Sequence, residues 1–313
     1  MKVILDPQGG ICGGVRRVIE LAEKEIATKN RKVFVLGDII HNEREVDRLN
    51  KAGLNTIHIK SLENIKPSFK LRQVLTPDAT AVQDARILIR AHGEPPETFA
   101  KLKKFKIEVV DGTCPVVLKS QNLAQKYYYN GYQVAIVGKH GHPEMIGIIG
   151  HTNHDAIVIE YDEDVKKLSP DKPTLVMAQT TISPEKFEEM SEKIKDWVGN
   201  ITIRCTICES VVKRGEKLHE FAKQVDVLLV VGGRKSSNTK MLHNACLSVN
   251  PNSYHVATPE EIDTIWFKDL ETIGVTGSAS TPLWLLQEFV DTLELWIKEE
   301  KSVKSAQSAV RES

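Results

Sequence analysis

The hydrophobic positions of this chain form a pattern that repeats three times. In each repeat, apolar residues at helical spacing precede a short β-branched run that ends in glycine. These runs are residues 33–37, 134–138 and 227–232. A further β-branched run follows later in each repeat. Strands that alternate with helices in this way predict βαβ units, with parallel sheets and right-handed crossovers.

A cysteine opens each repeat, and polar loops follow its strands. Cys12, Cys114 and Cys208 lie 24 or 25 residues before the glycine that ends the first run. The loops contain, in chain order, His41, His92, His142 with Glu144, Thr180, the sequence Ser236-Ser237-Asn238-Thr239, and Ser280. Ligands bind beyond the carboxyl ends of the strands in such sheets. The repeat therefore predicts three small α/β units around one central pocket, and residues 2–5 are predicted to pair with the third unit.

The composition narrows the class of protein without identifying a function. Hydrophobic residues make up 41% of the 313 residues and charged residues 27%, which is typical of a globular chain. The 42 basic and 42 acidic residues balance, which argues against a nucleic-acid partner that would need a basic excess. Neither a signal peptide nor a membrane-spanning stretch is predicted. We expect a cytoplasmic protein, and a monomer because the repeat closes the ring internally.

Three cysteines at matched positions favour a soft metal centre. A helix N-terminus favours the thiolate form that metals bind. Structural zinc held by three cysteines would need a fourth ligand, whereas a cubane iron–sulfur cluster would keep one iron without a protein ligand. Cys205 and Cys208 form a C-x-x-C pair, which could also be a redox dithiol or half a zinc site. The repeat spacing favours Cys208, so Cys205 and Cys246 are interpreted as structural.

The histidines in these loops suit a phosphate as hydrogen-bond donors with adjustable charge. His41, His92 and His142 are the three candidates, although three histidines could instead bind zinc. Glu144 is the one carboxylate placed among the loops. In a pocket that excludes water its pKa would rise and it could transfer protons; otherwise it only caps a helix.

The Ser236-Ser237-Asn238 sequence is typical of an anion-binding helix start. Taken alone, such a sequence is more often an ordinary helix cap. Ser280 and Thr180 occupy equivalent second loops, and this favours a shared ligand. No G-x-x-x-x-G-K-[ST] sequence occurs, so a P-loop nucleotide site is not supported.

Nine motifs occur in a characteristic order. They are Gly-Ile-Cys12-Gly-Gly-Val, Ile-His41-Asn, Ala-His92-Gly, Thr-Cys114-Pro, Gly-His142-Pro-Glu144, Gln179-Thr180-Thr181, Thr-Ile-Cys208, Ser236-Ser237-Asn238 and Ser280-Thr-Pro282. With these motifs, the sequence resembles the 4-hydroxy-3-methylbut-2-enyl diphosphate reductase family, also called LytB, over nearly its whole length. The resemblance implies a trefoil of three pseudo-threefold-related α/β domains around a central iron–sulfur cluster. We expect domains at 14–113, 114–206 and 1–13 with 207–299, and a polar, frayed tail at 300–313.

The resemblance also implies a mechanism. Cys12, Cys114 and Cys208 would hold one [4Fe–4S] cluster, whose unique iron binds the substrate hydroxyl. Residues implied to contact the allylic diphosphate substrate are His41, His92, His142, Thr180, Ser236, Ser237, Asn238 and Ser280. Glu144 and Thr180 would relay protons to the leaving hydroxyl. Two one-electron transfers from reduced ferredoxin or flavodoxin, with two protons, would give isopentenyl and dimethylallyl diphosphates, the last step of the methylerythritol phosphate pathway.

One segment departs from the family's pattern, and two alternative functions remain open. Residues 209–215 read Glu-Ser-Val-Val-Lys-Arg-Gly, where the family usually has a Thr and an Asn-Arg-Gln stretch. This segment is predicted to be helix surface, so we expect altered packing and not lost chemistry. The first alternative is a zinc-dependent hydrolase of a small phosphorylated substrate, with Glu144 as general base. The second is a cluster- or ligand-sensing module without turnover.

Overall fold

The computed structural model describes residues 1–28, 31–57, 85–104 and 106–311, and for residues 237 and 303–311 only the backbone. The chain divides into two compact units. The first comprises Met1–Cys12, His41–Glu43 and Lys213–Ser313, and the second comprises Gly13–Ile40 and Arg44–Val212. The three-domain division at 14–113, 114–206 and 1–13 with 207–299 stays a prediction.

The second unit contains two four-stranded parallel sheets with the same strand order. The strands of one are β2 (Val33–Leu36), β3 (Leu54–Ile57), β4 (Arg86–Ile89) and β5 (Glu108–Asp111), in the order β3-β2-β4-β5. The strands of the other are β6 (Gln133–Val137), β7 (Ile157–Ile159), β8 (Thr174–Ala178) and β9 (Ile201–Arg204), in the order β7-β6-β8-β9. Every residue of β6 and β8 is buried, because the central strands of a parallel sheet are covered on both faces.

The first unit contains one such sheet, which takes its fourth strand from the N-terminus. Its strands are β1 (Lys2–Leu5), β10 (Val227–Val231), β11 (Ser253–Val256) and β12 (Thr272–Gly277), in the order β1-β12-β10-β11. Strand β1 runs parallel to β12, with Lys2 opposite Thr272 and Leu5 opposite Val275. This confirms the predicted pairing of residues 2–5 with the third repeat. The α/β class with three parallel sheets is likewise confirmed.

Helices connect the strands and start where the repeat predicts them. Among the described residues, the α-helices are α1 (Gly13–Ala27), α2 (Glu43–Ala52), α3 (Pro96–Lys104), α4 (Pro115–Tyr129), α5 (Pro143–Gly150), α6 (Pro184–Trp197), α7 (Glu209–Ala222), α8 (Ser237–Leu247) and α9 (Leu283–Arg311). Short 3₁₀ helices occupy Asp162–Lys167, Pro259–Glu261 and Thr264–Phe267. Proline opens four of the α-helices, since its missing N–H removes no helical hydrogen bond at that position. Within the described ranges, no helix is long and apolar enough to cross a membrane.

The apolar core of the first unit lies on both faces of its sheet. Residues of β10 alternate between the two faces, as the period of a strand requires. One face packs against α9 through residues such as Phe289, and the other packs against α7 and α8 through Leu218 and Leu242. Burial of one such side chain contributes about 1.5–3 kcal/mol. Cys246 is fully buried in the second cluster, which confirms its interpretation as a core residue.

Two expectations about local structure are wrong. The backbone of residues 300–311 continues α9, where the sequence predicted a frayed tail; Lys, Ala and Gln in this stretch favour a helix. Residues 209–215 do lie in α7, but they are not all helix surface. Val211 and Arg214 are buried, the latter because it is paired with Asp6 near the start of the chain.

Candidate functional site

The three predicted ligand cysteines occupy equivalent backbone positions in the three sheets. Each follows the fourth strand of its sheet and directly precedes a helix: Cys12 before α1, Cys114 before α4 and Cys208 before α7. The N–H of each cysteine donates to the carbonyl of the residue that lies two positions after a neighbouring strand of its sheet, namely β12, β4 or β8. The acceptors are Ala279 at 3.2 Å, Ala91 at 3.0 Å and Thr180 at 2.9 Å. The same hydrogen bond therefore fixes each cysteine beside the second polar loop of its own sheet.

Cys208 holds this position in its sheet, and Cys205 does not. The carbonyl of Cys208 accepts hydrogen bonds from the N–H groups of Val211 and Val212 at 2.8 and 3.2 Å, as expected of the residue that caps a helix. Cys205 directly follows β9 and is exposed. Cys208 therefore lies at the positive end of the α7 dipole. This geometry supports Cys208 as the third ligand.

His92 and His142 lie side by side in the second unit. Their ring centroids are 5.4 Å apart and their planes meet at 86°. His142 caps α5, where its Nδ1 accepts the N–H of Glu144 at 3.2 Å. A neutral imidazole that accepts at Nδ1 carries its proton on Nε2, so His142 offers a hydrogen-bond donor there. The turn that carries His92 ends at Gly93, whose φ of 71° favours glycine.

Glu144 is a fully buried carboxylate bound to Thr180. Only 1% of Glu144 is exposed. Its Oε1 accepts the N–H of Thr180 at 2.8 Å, and its Oε2 accepts the Thr180 hydroxyl at 2.7 Å. Burial raises the pKa of Glu144 to about 7, and the two hydrogen bonds from Thr180 oppose that rise. A carboxyl group with this pKa can hold and release a proton near neutral pH.

The stability of the fold should fall, relative to that of a Glu144→Gln variant, as the pH rises from about 4.5 to about 7. The folded state binds the Glu144 proton more tightly than the unfolded state does. Protonation of Glu144 therefore stabilises the fold fully below the pKa of the unfolded state, and this stabilisation is lost as the pH rises through the pKa of the folded state. Between about pH 4 and about pH 8, the free energy of unfolding of the wild type relative to that of the variant should fall by on the order of 3 kcal/mol. Urea unfolding of both proteins at the two pH values measures this change. Burial also raises the pKa of Glu94 to about 7, but Glu94 is present in both proteins and cancels. A pH-independent difference between the two proteins would contradict the raised pKa of Glu144.

Hydroxyl side chains form a buried network at the start of α8 in the first unit. Ser236 caps the helix, where its Oγ accepts the N–H of Thr239 at 3.1 Å. The hydroxyl oxygens of Ser236 and Ser280 are 3.3 Å apart, and those of Ser280 and Ser278 are 3.1 Å apart. Ser278 also accepts the hydroxyl of Thr239 at 2.8 Å. Ser236 and Ser280, predicted from two separate loops, are thus brought together.

Asn238 adds an amide donor to this network. Its Oδ1 accepts the N–H of Ala279 at 3.0 Å, whereas its buried Nδ2 has no hydrogen-bond partner in the described part of the chain. Such a donor is unfavourable by about 1–3 kcal/mol until a ligand or water accepts its hydrogen bond.

Ser237 opens α8, and its side chain lies outside the described structure. His41 belongs to the same unit, and its carbonyl lies so close to Gly233 that a Cβ there would be 2.4 Å away.

Comparison with known protein families decides how these motifs are to be interpreted. The model of the family described as LytB protein matches residues 3–294. The chain belongs to this family. It is 39% identical to 4-hydroxy-3-methylbut-2-enyl diphosphate reductase of Bacteroides thetaiotaomicron, with 96% of this chain and 100% of the relative covered. It is 37% identical to the enzyme of the same name from Chlorobium limicola, with 93% and 98% covered.

Two solved structures of the family are similar to this one. The first is (E)-4-hydroxy-3-methyl-but-2-enyl diphosphate reductase, described as the terminal enzyme of the non-mevalonate pathway. It matches with a TM-score of 0.68 and 32% identity, over 93% of this chain and 98% of that one. The second, E-1-hydroxy-2-methyl-but-2-enyl-4-diphosphate reductase from Plasmodium falciparum, matches with a TM-score of 0.78 and 27% identity, over 92% and 86%. The family resemblance is confirmed, and because these relatives are reductases, the zinc-hydrolase alternative is not supported.

The sequence pattern assigns no ligand role to three hydroxyl residues of the first unit. These are Thr239, Ser278 and Thr281, which complete the network around Ser236 and Ser280. The Thr281 hydroxyl accepts the N–H of Ser278 at 3.0 Å and donates to the carbonyl of Val231 at 2.7 Å. All three lie in the two loops already singled out by the repeat, so their position in those loops was the available signal.

Proposed function

We propose that this chain reduces 4-hydroxy-3-methylbut-2-enyl diphosphate to isopentenyl and dimethylallyl diphosphates, the last step of the methylerythritol phosphate pathway. The observation that carries the proposal is the equivalent placement of Cys12, Cys114 and Cys208, each held at a helix start by the same hydrogen bond. The activity for which the full-length relatives are named supports the substrate. The proposed enzyme is a cytoplasmic, monomeric iron–sulfur oxidoreductase.

The three cysteines would hold one [4Fe–4S] cluster. Thiolates at helix N-termini are the soft, anionic donors that such a group needs, and all three side chains are partly buried. When bound, the cluster supplies single electrons and one Lewis-acidic iron that has no protein ligand. Reduced ferredoxin or flavodoxin is the proposed electron donor, because no part of the sequence resembles a flavin or nicotinamide site.

The diphosphate would be bound by neutral hydrogen-bond donors. The chain has no net charge and no P-loop, so local geometry has to supply the attraction for an anion. The donors of the first unit are the hydroxyls of Ser236 and Ser280, the unused Nδ2 of Asn238 and the N-terminus of α8. The proposed set also includes His41, His92, His142 and Ser237, and for His142 the Nε2 proton is the donor.

Glu144 and Thr180 would deliver a proton to the leaving hydroxyl group. With a pKa of about 7, Glu144 holds a proton in a large fraction of molecules at neutral pH. Protonated Glu144 can donate across the 2.7 Å contact to the Thr180 oxygen, and Thr180 can then donate its own hydroxyl proton onward. In balance, two electrons and two protons replace the C–O bond of the substrate with a C–H bond and release one water.

The experiment that tests this proposal is an anaerobic assay with the substrate and a chemically reduced viologen as one-electron donor. Mass spectrometry identifies the products. Isopentenyl and dimethylallyl diphosphates are expected, with two electrons consumed per molecule of product. Release of inorganic phosphate from an otherwise unreduced substrate would instead identify a hydrolase. Substrate binding without any product would identify the sensing module.

A further inference from the structure

Arg214 is a buried cation whose hydrogen-bond partners lie at the ends of two neighbouring strands, β1 and β12. It lies on α7, six residues after Cys208, and is 9% exposed. Its Nη2 donates to the hydroxyl of Thr276 at 2.6 Å and to the carbonyl of Gly277 at 3.1 Å. The same nitrogen lies 2.6 Å from Oδ2 of Asp6, which is itself 5% exposed. Arg214 therefore connects the end of β12 with the end of β1.

Each of these strand ends leads into a loop that carries a proposed ligand residue. The chain runs from Asp6 to Cys12 on one side, and from Gly277 to Ser280 on the other. The two loops are joined at their bases, because the Thr276 hydroxyl donates to Oδ2 of Asp6 at 2.7 Å. They are joined again farther along, where the N–H of Cys12 donates to Ala279 at 3.2 Å. A shift of one loop must therefore be transmitted to the other.

The charge of Arg214 is not needed to pack the helix. The equivalent positions six residues after the other two cysteines are Val18 and Ser120, which are buried without a charge. Val18 packs against Gly112, where a Cβ would lie 2.6 Å from its Cγ2. A buried ion pair gives little net stability, because the loss of solvation offsets the attraction. Nε and Nη1 of Arg214 also have no hydrogen-bond partner among the residues described, which is a further unfavourable term.

We propose that Arg214 is a positioning residue that couples diphosphate binding at the Ser280 loop to the strength with which Cys12 holds its metal group. This inference rests on the proposed function. A diphosphate bound at Ser236 and Ser280 fixes the loop of residues 277–281. Through Arg214 and Asp6, and through the Ala279 carbonyl, it then fixes the loop that ends at Cys12. Because linkage is reciprocal, the bound metal group raises the affinity for the diphosphate by the same factor.

The test measures the rate at which the anaerobically purified holoprotein loses iron to a strong chelator, with and without saturating isopentenyl diphosphate. In the wild type, the ligand should slow iron loss at least about fivefold, the lower end of typical coupling between sites. In Arg214→Gln, the ratio of the two rates should fall well below the wild-type ratio, because only the hydrogen bonds of Cys12 with Ala279 and of Thr276 with Asp6 then join the two loops. Because the ratio compares the same protein with and without ligand, a uniform loss of stability does not change it.

Two further variants make the result specific. Lys217→Gln removes the same charge from an exposed position on the same helix, and should keep the wild-type ratio. The double variant Asp6→Asn with Arg214→Gln removes both charges of the pair, so it leaves no isolated buried carboxylate that could unfold the protein. Its protection should be reduced as in the single variant.

The outcomes separate this inference from the proposed function. Undiminished protection in Arg214→Gln or in the double variant, with normal iron content, would overturn the coupling and leave the proposed function intact. Absence of protection in the wild type, or equal loss of protection in Lys217→Gln, would overturn it as well. A wild-type protein that binds no iron would contradict the proposed function itself, and the inference would fall with it.

Discussion

Replacing Glu144 by Gln is expected to lower kcat for reductive dehydroxylation by about 10²- to 10⁴-fold, the usual contribution of a positioned proton donor. Gln has the same size and can still accept the N–H of Thr180, but it has no proton to transfer. KM should change little, because the proposed diphosphate donors lie on other side chains. Steady-state kinetics with a reduced viologen measures both constants, with iron and sulfide counted on the same samples.

Glu185 provides the matched control. It follows Pro184 at the start of α6, as Glu144 follows Pro143 at the start of α5, but it is exposed. Glu185→Gln therefore makes the same chemical change at an equivalent helix position and should leave kcat at the wild-type value. Near-normal turnover in Glu144→Gln with an intact cluster would remove Glu144 from the mechanism. Equal losses in the two variants would show that the effect is not specific to the buried carboxyl.

Replacing Cys208 by Ser should abolish stoichiometric iron and sulfide binding, whereas replacing Cys205 by Ser should leave both at the wild-type level. Cys208 caps α7 and makes the same backbone hydrogen bond as the other two proposed ligands, while Cys205 is exposed at the end of β9. A hydroxyl is a poor substitute for a thiolate toward a soft metal. Iron and sulfide analysis and the visible spectrum after anaerobic purification give the result.

Cys246→Ala is the control for the loss of any cysteine. Burial raises the pKa of the Cys246 thiol to about 12, so it stays protonated and is unsuited to bind a metal. This variant should keep its cluster at the cost of some stability in the core. Retention of the cluster by Cys208→Ser together with its loss from Cys205→Ser would show that the assignment of the third ligand is wrong.

The elements that depend on local pattern were predictable from the sequence. The runs at 33–37, 134–138 and 227–232 coincide to within one residue with β2, β6 and β10, because buried β-branched residues between polar loops favour parallel strands. In each repeat, the N–H of the glycine that follows the first strand donates to the carbonyl of the last residue of the second strand. These bonds join Gly37 to Ile57, Gly138 to Ile159 and Gly232 to Val256. The nearly equal spacing from cysteine to glycine therefore reflects the same backbone geometry in each repeat.

Features that depend on a distant partner were not predictable in the same way. Arg214 is charged, and the amphipathic pattern of α7 places such a residue at the surface. Arg214 is buried because it pairs with Asp6, which lies near the start of the chain. The repeat nevertheless contained a signal, since the equivalent residues Val18 and Ser120 face inward. The pKa of Glu144 likewise depends on burial by the folded chain, which residue spacing alone does not specify.

The sequence identified candidate site residues, and the structure brings three pairs of them together. The pairs Glu144 with Thr180, His92 with His142, and Ser236 with Ser280 are each in contact within one unit. Their roles toward the substrate stay proposals. The network of Thr239, Ser278 and Thr281 could not be derived from spacing, because hydroxyl groups in loops bind backbone and side chains with similar ease.

Iron, sulfide and zinc analysis of the anaerobically purified protein, together with its visible spectrum, decides whether the three cysteines hold an iron–sulfur cluster. We expect a brown protein with about four iron and four sulfide ions per chain, whose colour bleaches with dithionite. A colourless protein that contains zinc and no acid-labile sulfide, purified under the same protection from oxygen, would contradict it.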